Sequence, residues 1–301
     1  MSDADLPSTG SVEVVEPDAA AGLVERVARD TEQDARVGQL LIALDIDGTV
    51  ILEDESLSPG VVDAVEHARR AGHEVMIATG RSWEGTHGIL DALAITPDFV
   101  VCSNGAVVLK RTDEDGPAYD RWHVETFDPT EVLTLLIEHL PDARYLVELP
   151  DGRRLFTEHL DDWNLVNALR VPFEELSAQR VCRVVVVAPE QGEQDFVDLV
   201  DRIGLTQVTY AVGWTAWLDI APQGVDKSTS LELVRSELGL DPARVMVIGD
   251  GRNDLGMFRW ALENGGRAVA MEQGPQEVRD AAGEVTTSVE AGGVAAVLRA
   301  L

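Results

Sequence analysis

The feature that most constrains the fold is a continuous apolar run, Leu40–Leu44, that ends abruptly at Asp45. A short run that is apolar at every position is typical of a strand buried on both faces, as in a parallel sheet covered by helices. Similar runs end in polar or glycine residues at Thr79, Ser103 and Gly249. Segments with apolar residues at helical spacing separate them, so the pattern predicts an α/β fold with a doubly wound, Rossmann-like parallel sheet.

The elements of this predicted core follow from periodicity and from stop signals. The first helix should begin near Ser58-Pro59, with proline at an early helical position, and end at Gly72. The predicted strands are 40–44, Glu74–Ala78, Phe99–Cys102, Val245–Ile248 and Ala268–Met271, and the later helices are Ser228–Leu238 and about Leu255 to Leu262.

The middle of the chain has a different pattern, with strand-like and helical segments that fit a small sheet of their own. We predict an inserted α+β cap domain at 112–215, which divides the core domain into 38–111 and 216–301. Residues 1–37 are rich in acidic side chains and predict a mobile extension, with a short helix near Leu23–Arg29. The predicted cap elements are helices at Pro129–Leu140 and Glu193–Ile203, and strands at Arg144–Leu149, Arg153–Phe156, Val181–Ala188 and Gln207–Val212.

The charge balance restricts the partners of the protein. The 301 residues include 54 acidic and 24 basic side chains, for a formal charge of −30. Nucleic-acid binding needs a basic surface, and anionic membranes repel an acidic one, so we expect neither as a partner. The sequence also lacks a signal peptide and a membrane-length apolar segment, which favours the cytoplasm. An anionic ligand would need cations supplied locally by its own site.

The strongest motif is Asp45-Ile46-Asp47-Gly48-Thr49, at the end of the first predicted strand. Of two carboxylates at this spacing, one could attack an electrophile as a nucleophile while the other acts as a general acid or base. A calcium-binding loop uses a similar Asp-x-Asp spacing, although its third acidic position is missing here. A turn rich in aspartate and glycine is a further alternative. Taken alone, the motif leaves these interpretations open.

Three more segments carry candidate polar groups. The sequence Thr79-Gly80-Arg81 offers a hydroxyl beside a glycine, and Gly249–Asp254 offers carboxylates and an amide that suit a hard cation. A helix-capping loop explains the second segment equally well. Lys227 stands at a predicted helix start, where a cation is unfavourable, and it is one of only two lysines among the 24 basic residues. Its position therefore favours a functional role, although the glycines of a P-loop are absent.

The order of these four segments resembles the haloacid dehalogenase (HAD) superfamily, and in detail its Cof-like, subfamily IIB sugar-phosphatase branch. The matching residues are Asp45–Thr49, Ala78-Thr79-Gly80-Arg81, Lys227 and Gly249–Asp254. The segment Ser103-Asn104-Gly105-Ala106 is similar to the Asn-Gly-Ala of that branch. One departure follows Met271, where the family often has Gly-Asn-Ala and this chain has Glu272-Gln273-Gly274-Pro275. The resemblance covers about residues 40–301 and implies an α/β cap between the second and third motifs.

The resemblance implies a Mg²⁺-dependent phosphatase that cleaves small phosphorylated metabolites. Asp45 would attack phosphorus and form an aspartyl phosphate, while Asp47 would protonate the leaving alcohol and then activate water. Thr79 and Lys227 would hold the phosphoryl oxygens. Mg²⁺ would bind the Asp45 carboxylate, the Asp47 backbone carbonyl and Asp250. The further implied site residues are Gly80, Arg81, Asn104 and Asn253, which would bind phosphate or substrate, and Asp254, which would orient Lys227 or a metal-bound water.

Two other functions are alternatives to a phosphatase for this set of residues. A phosphosugar mutase or other phosphotransferase would share Asp45 and Asp47 but return the phosphoryl group to a sugar. A non-catalytic binding module on the same fold would require that the catalytic residues had changed, and here they carry the expected chemistry. The cap arginines are candidates to bind a second anionic group on the substrate, although Arg183, inside an apolar strand, is also explained by a side chain that reaches solvent. The sequence does not identify the substrate or the oligomeric state.

Overall fold

The computed structural model describes residues 38–112, 118–159, 165–189, 198–200, 202–205, 208–212 and 217–301. The predicted extension 1–37, its helix near Leu23–Arg29 and most of the predicted helix Glu193–Ile203 lie outside the described residues. No helix within the described ranges is both long enough and apolar enough to cross a bilayer.

Strands and helices alternate through the beginning and the end of the described chain, as the apolar pattern predicts. The order is β1 (Leu41–Leu44), α1 (Val61–Arg70), β2 (Glu74–Ile77), α2 (Trp83–Leu93), β3 (Phe99–Cys102), β4 (Val107–Arg111), β5 (Tyr119–Val124), α3 (Thr130–His139), β6 (Arg144–Glu148), β7 (Arg154–Phe156), β8 (Ala168–Arg170), β9 (Arg183–Val187), β10 (Val208–Val212), β11 (Trp217–Pro222), α4 (Lys227–Glu237), β12 (Val245–Gly249), α5 (Leu255–Glu263), β13 (Arg267–Ala270), α6 (Gln276–Ala281), β14 (Glu284–Val285) and α7 (Gly293–Leu298).

A five-stranded parallel sheet with the order β14-β13-β12-β1-β2 forms the core. A parallel bridge between Ala78 and Val101 continues this sheet toward β3. Both faces are covered: Ile42 and Leu44 pack into one apolar cluster, whereas Leu41 and Ala43 pack into another. Because successive strand side chains point to opposite faces, this division confirms the predicted doubly buried strand.

Helix α1 begins later than the proline signal predicts. Gly60 precedes the helix as its N-cap, with φ of 72°, and Pro59 lies outside it. The left-handed backbone at Gly60 starts the helix, so the prediction of proline at an early helical position was wrong. The end of the helix agrees with the sequence, since Ala71 caps it and Gly72 follows with a φ of 93°.

A second sheet has six strands in the order β10-β11-β9-β6-β7-β8, and a three-stranded antiparallel sheet contains β3, β4 and β5. Two of these strands fall on the other side of the predicted domain boundaries. Strand β5 pairs with β4 of the first core segment, and β11 pairs with β9 and β10 of the insertion. We therefore propose that the cap begins after β5 and ends after β11, rather than at 112 and 215.

The six-stranded sheet packs one face against helix α3. Tyr145, Val147 and Val184 share an apolar cluster with Leu133 and Leu136 of that helix. The alternate residues of the same strands therefore point to the opposite face, which is the face that contacts the core loops described below. Both cysteines are free, buried thiols, as their apolar surroundings predict.

Candidate active site

Acidic residues follow two neighbouring strands of the parallel sheet. Strands β1 and β12 pair in parallel, so Asp45 and Asp250 leave the sheet at the same edge. Asp254 lies in the short 3-10 turn that follows Asp250. One carboxylate oxygen from each of these three buried residues lies within 4.8 Å of the other two. Gly48 permits this approach, because a Cβ atom there would lie 2.1 Å from Asp250 Oδ2.

Lys227 enters this acidic cluster from the first residue of helix α4. Asp226 caps the helix, and its carboxylate accepts hydrogen bonds from the Ser228 and Thr229 amides at 2.9 and 3.1 Å. The cap fixes the position from which the lysine side chain extends. Its Nζ donates to Asp45 Oδ1 and Asp254 Oδ1, both at 2.7 Å, and the side chain is fully buried.

The cluster contains more acidic than basic groups, and burial makes their negative charge costly. Desolvation raises the pKa of Asp45 well above its usual value, although Lys227 opposes the shift. Desolvation and the nearby Asp254 raise the pKa of Asp250 to about 7. The pKa of Lys227 is raised despite its burial, because Asp254 and Asp45 stabilise the ammonium. One buried cation thus faces three carboxylates, an arrangement that favours binding of a further cation.

The side chain of Asp47 lies outside the acidic cluster and is 59% exposed. It accepts a bidentate pair of hydrogen bonds from Arg81, with Nε to Oδ2 at 3.0 Å and Nη2 to Oδ1 at 2.6 Å. Arg81 Nη2 also donates to Glu55 at 3.2 Å. The structure therefore places Arg81 beside the second motif aspartate, in bidentate contact with its carboxylate.

Thr79, Gly80 and Asn104 meet where β2 and β3 end. The buried Thr79 hydroxyl accepts a hydrogen bond from the Arg81 backbone amide at 3.1 Å. The Asn104 backbone amide donates to the Thr79 carbonyl at 3.0 Å. The Asn104 side chain lies against the backbone of Gly80, since a Cβ atom there would be 3.1 Å from Asn104 Oδ1. Gly80 thus contributes space for an amide at this position.

Asn253 joins this group through the Asn104 side chain. Its Nδ2 donates to Asn104 Oδ1 at 3.1 Å, and Asn104 Nδ2 donates to Asp219 at 2.9 Å. Asp219 in turn accepts two hydrogen bonds from Arg183, at 2.7 and 2.6 Å. Arg183 is 7% exposed, so it forms a buried ion pair and does not extend to solvent. Strand patterns alone do not show that Arg183 and Asp219 are partners across β9 and β11.

Gln273 is a second residue that the motifs do not identify. It occupies the segment that departs from the family pattern, yet its Nε2 donates to the Gly48 carbonyl at 2.5 Å and lies 3.3 Å from Asp250 Oδ2. Its Oε1 accepts the Val289 amide at 3.1 Å. The departure therefore retains an amide side chain beside the acidic cluster. The sequence signal for this residue was its type, because glutamine carries an amide side chain like the asparagine that the family pattern has at this position.

The acidic cluster has the chemistry of a site for a hard divalent cation. Its donors are carboxylate oxygens, and their burial with a single ammonium leaves negative charge that such an ion would neutralise. The predicted ligands are the Asp45 carboxylate, the Asp47 backbone carbonyl and Asp250, and the pairing of the Asp47 side chain with Arg81 leaves that carbonyl as the group of Asp47 for a metal. Asp254 accepts from Lys227 and from the Asp250 amide, which suits an orienting role.

Comparisons with known proteins agree with this geometry. A family model described as haloacid dehalogenase-like hydrolase matches residues 42–298. The 5-amino-6-(5-phospho-D-ribitylamino)uracil phosphatase YitU of Bacillus subtilis strain 168 is 27% identical, over 86% of this chain and 96% of that protein. The pyridoxal phosphate phosphatase YbhA of Escherichia coli K12 is 28% identical, over 79% and 90%.

The fold is also similar to a solved structure, that of the HAD subclass IIB sugar phosphatase BT4131. The two superimpose with a TM-score of 0.70, at 19% identity, over 87% of this chain and 98% of that one. This likeness supports the arrangement of a parallel core with an inserted second sheet. The resemblance drawn from the motifs is thus confirmed, and the two curated relatives named above are phosphatases that match over 96% and 90% of their length. The chain is a phosphatase and belongs to the haloacid dehalogenase-like hydrolases, in their Cof-like branch.

Proposed function

We propose that the protein is a Mg²⁺-dependent phosphatase that hydrolyses small phosphorylated metabolites through an aspartyl phosphate on Asp45. The observation that carries the proposal is the buried Asp45 carboxylate, with one oxygen bound by Lys227 and with Asp250 at its side. Such an aspartate is oriented, and its other oxygen is available for attack on phosphorus. Two named relatives act on small organic phosphates, which supports the substrate class.

The first half-reaction forms one bond and breaks another. An Asp45 oxygen attacks phosphorus while the bond between phosphorus and the ester oxygen breaks, and the Asp47 carboxyl group gives its proton to the leaving alcohol. In the second half-reaction, Asp47 takes a proton from water, which attacks the same phosphorus and releases inorganic phosphate and the free Asp45 carboxylate. The division replaces one difficult displacement with two easier ones.

Several side chains would stabilise the charge on the transferring group. The Lys227 ammonium already lies 2.7 Å from Asp45, so it stands beside the phosphoryl oxygens that Asp45 would bind. The Thr79 hydroxyl accepts from the Arg81 amide and keeps its own proton for a phosphate oxygen. Asp45, Asp250 and the Asp47 carbonyl would hold Mg²⁺, which neutralises negative charge during phosphoryl transfer.

The test is phosphate release by the purified full-length protein from an aryl phosphate, sugar phosphates and pyridoxal phosphate. We expect release with Mg²⁺, none with EDTA, and a loss of about 10⁴-fold or more in Asp45→Asn. Asp120→Asn, on the exposed side of β5, is the matched control and should be as active as the native chain.

Release that survives Asp45→Asn would contradict the aspartyl phosphate. An isomeric sugar phosphate, rather than free phosphate, would instead identify a phosphotransferase.

A further inference from the structure

The face of the six-stranded sheet opposite helix α3 carries buried charged side chains. Glu148 is fully buried, and Arg183 and Asp219 are each 7% exposed. Charges in such a place are costly unless they are paired, and here they form two ion pairs. Asp219 pairs with Arg183, and Glu148 accepts from Arg121 at 2.8 Å. Both acids also accept a hydrogen bond from the turn after β3.

That turn connects the inserted sheet with the loop of Thr79. Ser103 and Asn104 both have φ of 51°, a left-handed conformation that costs about 1–2 kcal/mol for each residue. Their side chains donate to Glu148 at 2.7 Å and to Asp219 at 2.9 Å. Their backbone amides donate to the Arg81 and Thr79 carbonyls at 2.8 and 3.0 Å. The two acids therefore help to hold an otherwise unfavourable turn directly behind the second motif.

The Asp219 carboxylate also decides which way two amide side chains point. A carboxylate only accepts hydrogen bonds, so Asn104 must turn its NH2 group to Asp219 and its carbonyl oxygen to Asn253. Asn253 must then present its own NH2 group to Asn104, at 3.1 Å. Its carbonyl oxygen lies on the opposite side, close to Gly251, where a Cβ atom would be 2.5 Å away.

We propose that Asp219, held by Arg183, is a positioning residue that orients Asn104 and Asn253 so that Asn253 directs its remaining side-chain N–H to the substrate phosphate. The inference rests on the proposed function, because it assigns the phosphate to the space between Asn253 and the Thr79 loop. An amide in the reverse orientation would place a carbonyl oxygen against phosphate oxygens, which repel it. The acid of the cap sheet thus contributes to the phosphate site without touching the substrate.

Asp219→Leu removes the acceptor of the relay with little change of size. Asp219 Oδ2 accepts from both Arg183 Nη2 and Asn104 Nδ2, while Oδ1 accepts from Arg183 Nε, so an amide at this position could keep its oxygen toward Asn104. Leucine accepts no hydrogen bond, so Asn104 and Asn253 would lose their fixed orientation. The control is Glu148→Gln, which neutralises the other buried acid on this face. Its amide still offers an acceptor to Ser103, whose hydroxyl rotates to suit either end of an amide.

The experiment measures binding of inorganic phosphate by calorimetry with Mg²⁺, and kcat and KM for the best ester, on variants with native circular dichroism. We expect Asp219→Leu to weaken phosphate binding by about 10-fold and to lower kcat/KM by about 10- to 100-fold. Glu148→Gln should change either quantity by less than about 3-fold. In an Asn104→Ala background, Asp219→Leu should have no further effect on either quantity, because the relay is already interrupted.

Native phosphate binding in folded Asp219→Leu, or full additivity with Asn104→Ala, would overturn the proposal. If Asp219→Leu does not fold, Asn104→Ala alone decides: phosphate binding as tight as in the native chain would overturn the relay. A native chain that binds phosphate but releases none from esters would remove the proposed function, while the binding comparison would still test the relay. A native chain that does neither would overturn both.

Discussion

The parallel core and the inserted sheet supply polar groups to the same region by different means. In the core, Asp45 and Asp250 follow the last residues of adjacent strands, so backbone pairing alone brings them together. In the inserted sheet, Arg183 and Asp219 lie within strands and point to one face. Both sets of charges are buried, but the first lies at the carboxyl ends of parallel strands, where open α/β sheets bind ligands, whereas the second lies between the inserted sheet and the core loops. The difference suggests that the core residues perform the chemistry and the inserted residues orient them.

The two lysines allow the strongest test of this division. Lys227 is fully buried between two carboxylates, whereas the Lys110 side chain is 40% exposed and pairs with Glu237. Lys227→Met should lower kcat by about 10³-fold, because a cation beside the phosphoryl group is lost. It should also lower the free energy of unfolding by about 3–5 kcal/mol, because two buried acids lose their partner. Lys110→Met should cost less than about 1 kcal/mol and leave kcat as in the native chain.

Denaturant unfolding and steady-state kinetics check both lysine variants. Equal losses of activity in the two would mean that burial among carboxylates does not distinguish a catalytic lysine here.

Arg81 tests whether a residue of the core also acts by orientation. Arg81→Gln breaks the bidentate contact with Asp47, so the carboxylate would sample positions that do not reach the leaving group. We expect kcat to fall by about 10- to 100-fold with KM nearly unchanged. A phosphate ligand, as the sequence predicts for Arg81, would instead give a raised KM. Glu55→Gln removes only the outer partner of the guanidinium and is the control, with kinetics close to those of the native chain.

Gln273 belongs to the core, yet its contacts are those of an orienting residue. Gln273→Ala removes the donor to the Gly48 carbonyl and the neighbour of Asp250. Because residues that orient metal ligands affect metal affinity, we expect about 10-fold more Mg²⁺ for half-maximal activity. Titration of activity with Mg²⁺ measures this shift. Gln276→Ala changes an exposed residue of helix α6 that contacts Asp280 and Arg279, and it should need no more Mg²⁺ than the native chain.

The two regions also differ in how far the sequence predicts them. Asp45, Thr79 and Asp250 could be located in advance, because apolar runs define strands and parallel strands end at one edge. The pairing of Arg183 with Asp219 could not, since it depends on the register of β9 against β11, which a strand pattern does not specify. The proposed shift of the cap boundary depends on strand partners in the same way, because the pairing of β11 with β9 and β10 is what links it to the inserted sheet.

The opposite edge of the parallel sheet provides the smallest test, since no candidate site residue lies there. The Leu40 amide donates to His73 Nδ1 at 3.2 Å, an acceptor that exists only in the neutral ring. Partial burial and the charge of Arg244 lower the pKa of His73 in the folded chain. The unfolded chain therefore takes up the proton more readily, so the free energy of unfolding should fall as pH decreases through the ordinary histidine range of about 6.5.

His73→Gln replaces the ring with an amide that accepts the same bond and does not titrate. The difference in unfolding free energy between the native chain and this variant, measured from pH 7.5 to 5.5, should therefore change in favour of the variant toward low pH. The effect should be small because the ring is largely solvated. The ratio of kcat between the native chain and the variant should not change over this pH range. A parallel loss of kcat would show that this edge of the sheet is coupled to the acidic cluster, and the separation of chemistry from support would then have to be drawn differently.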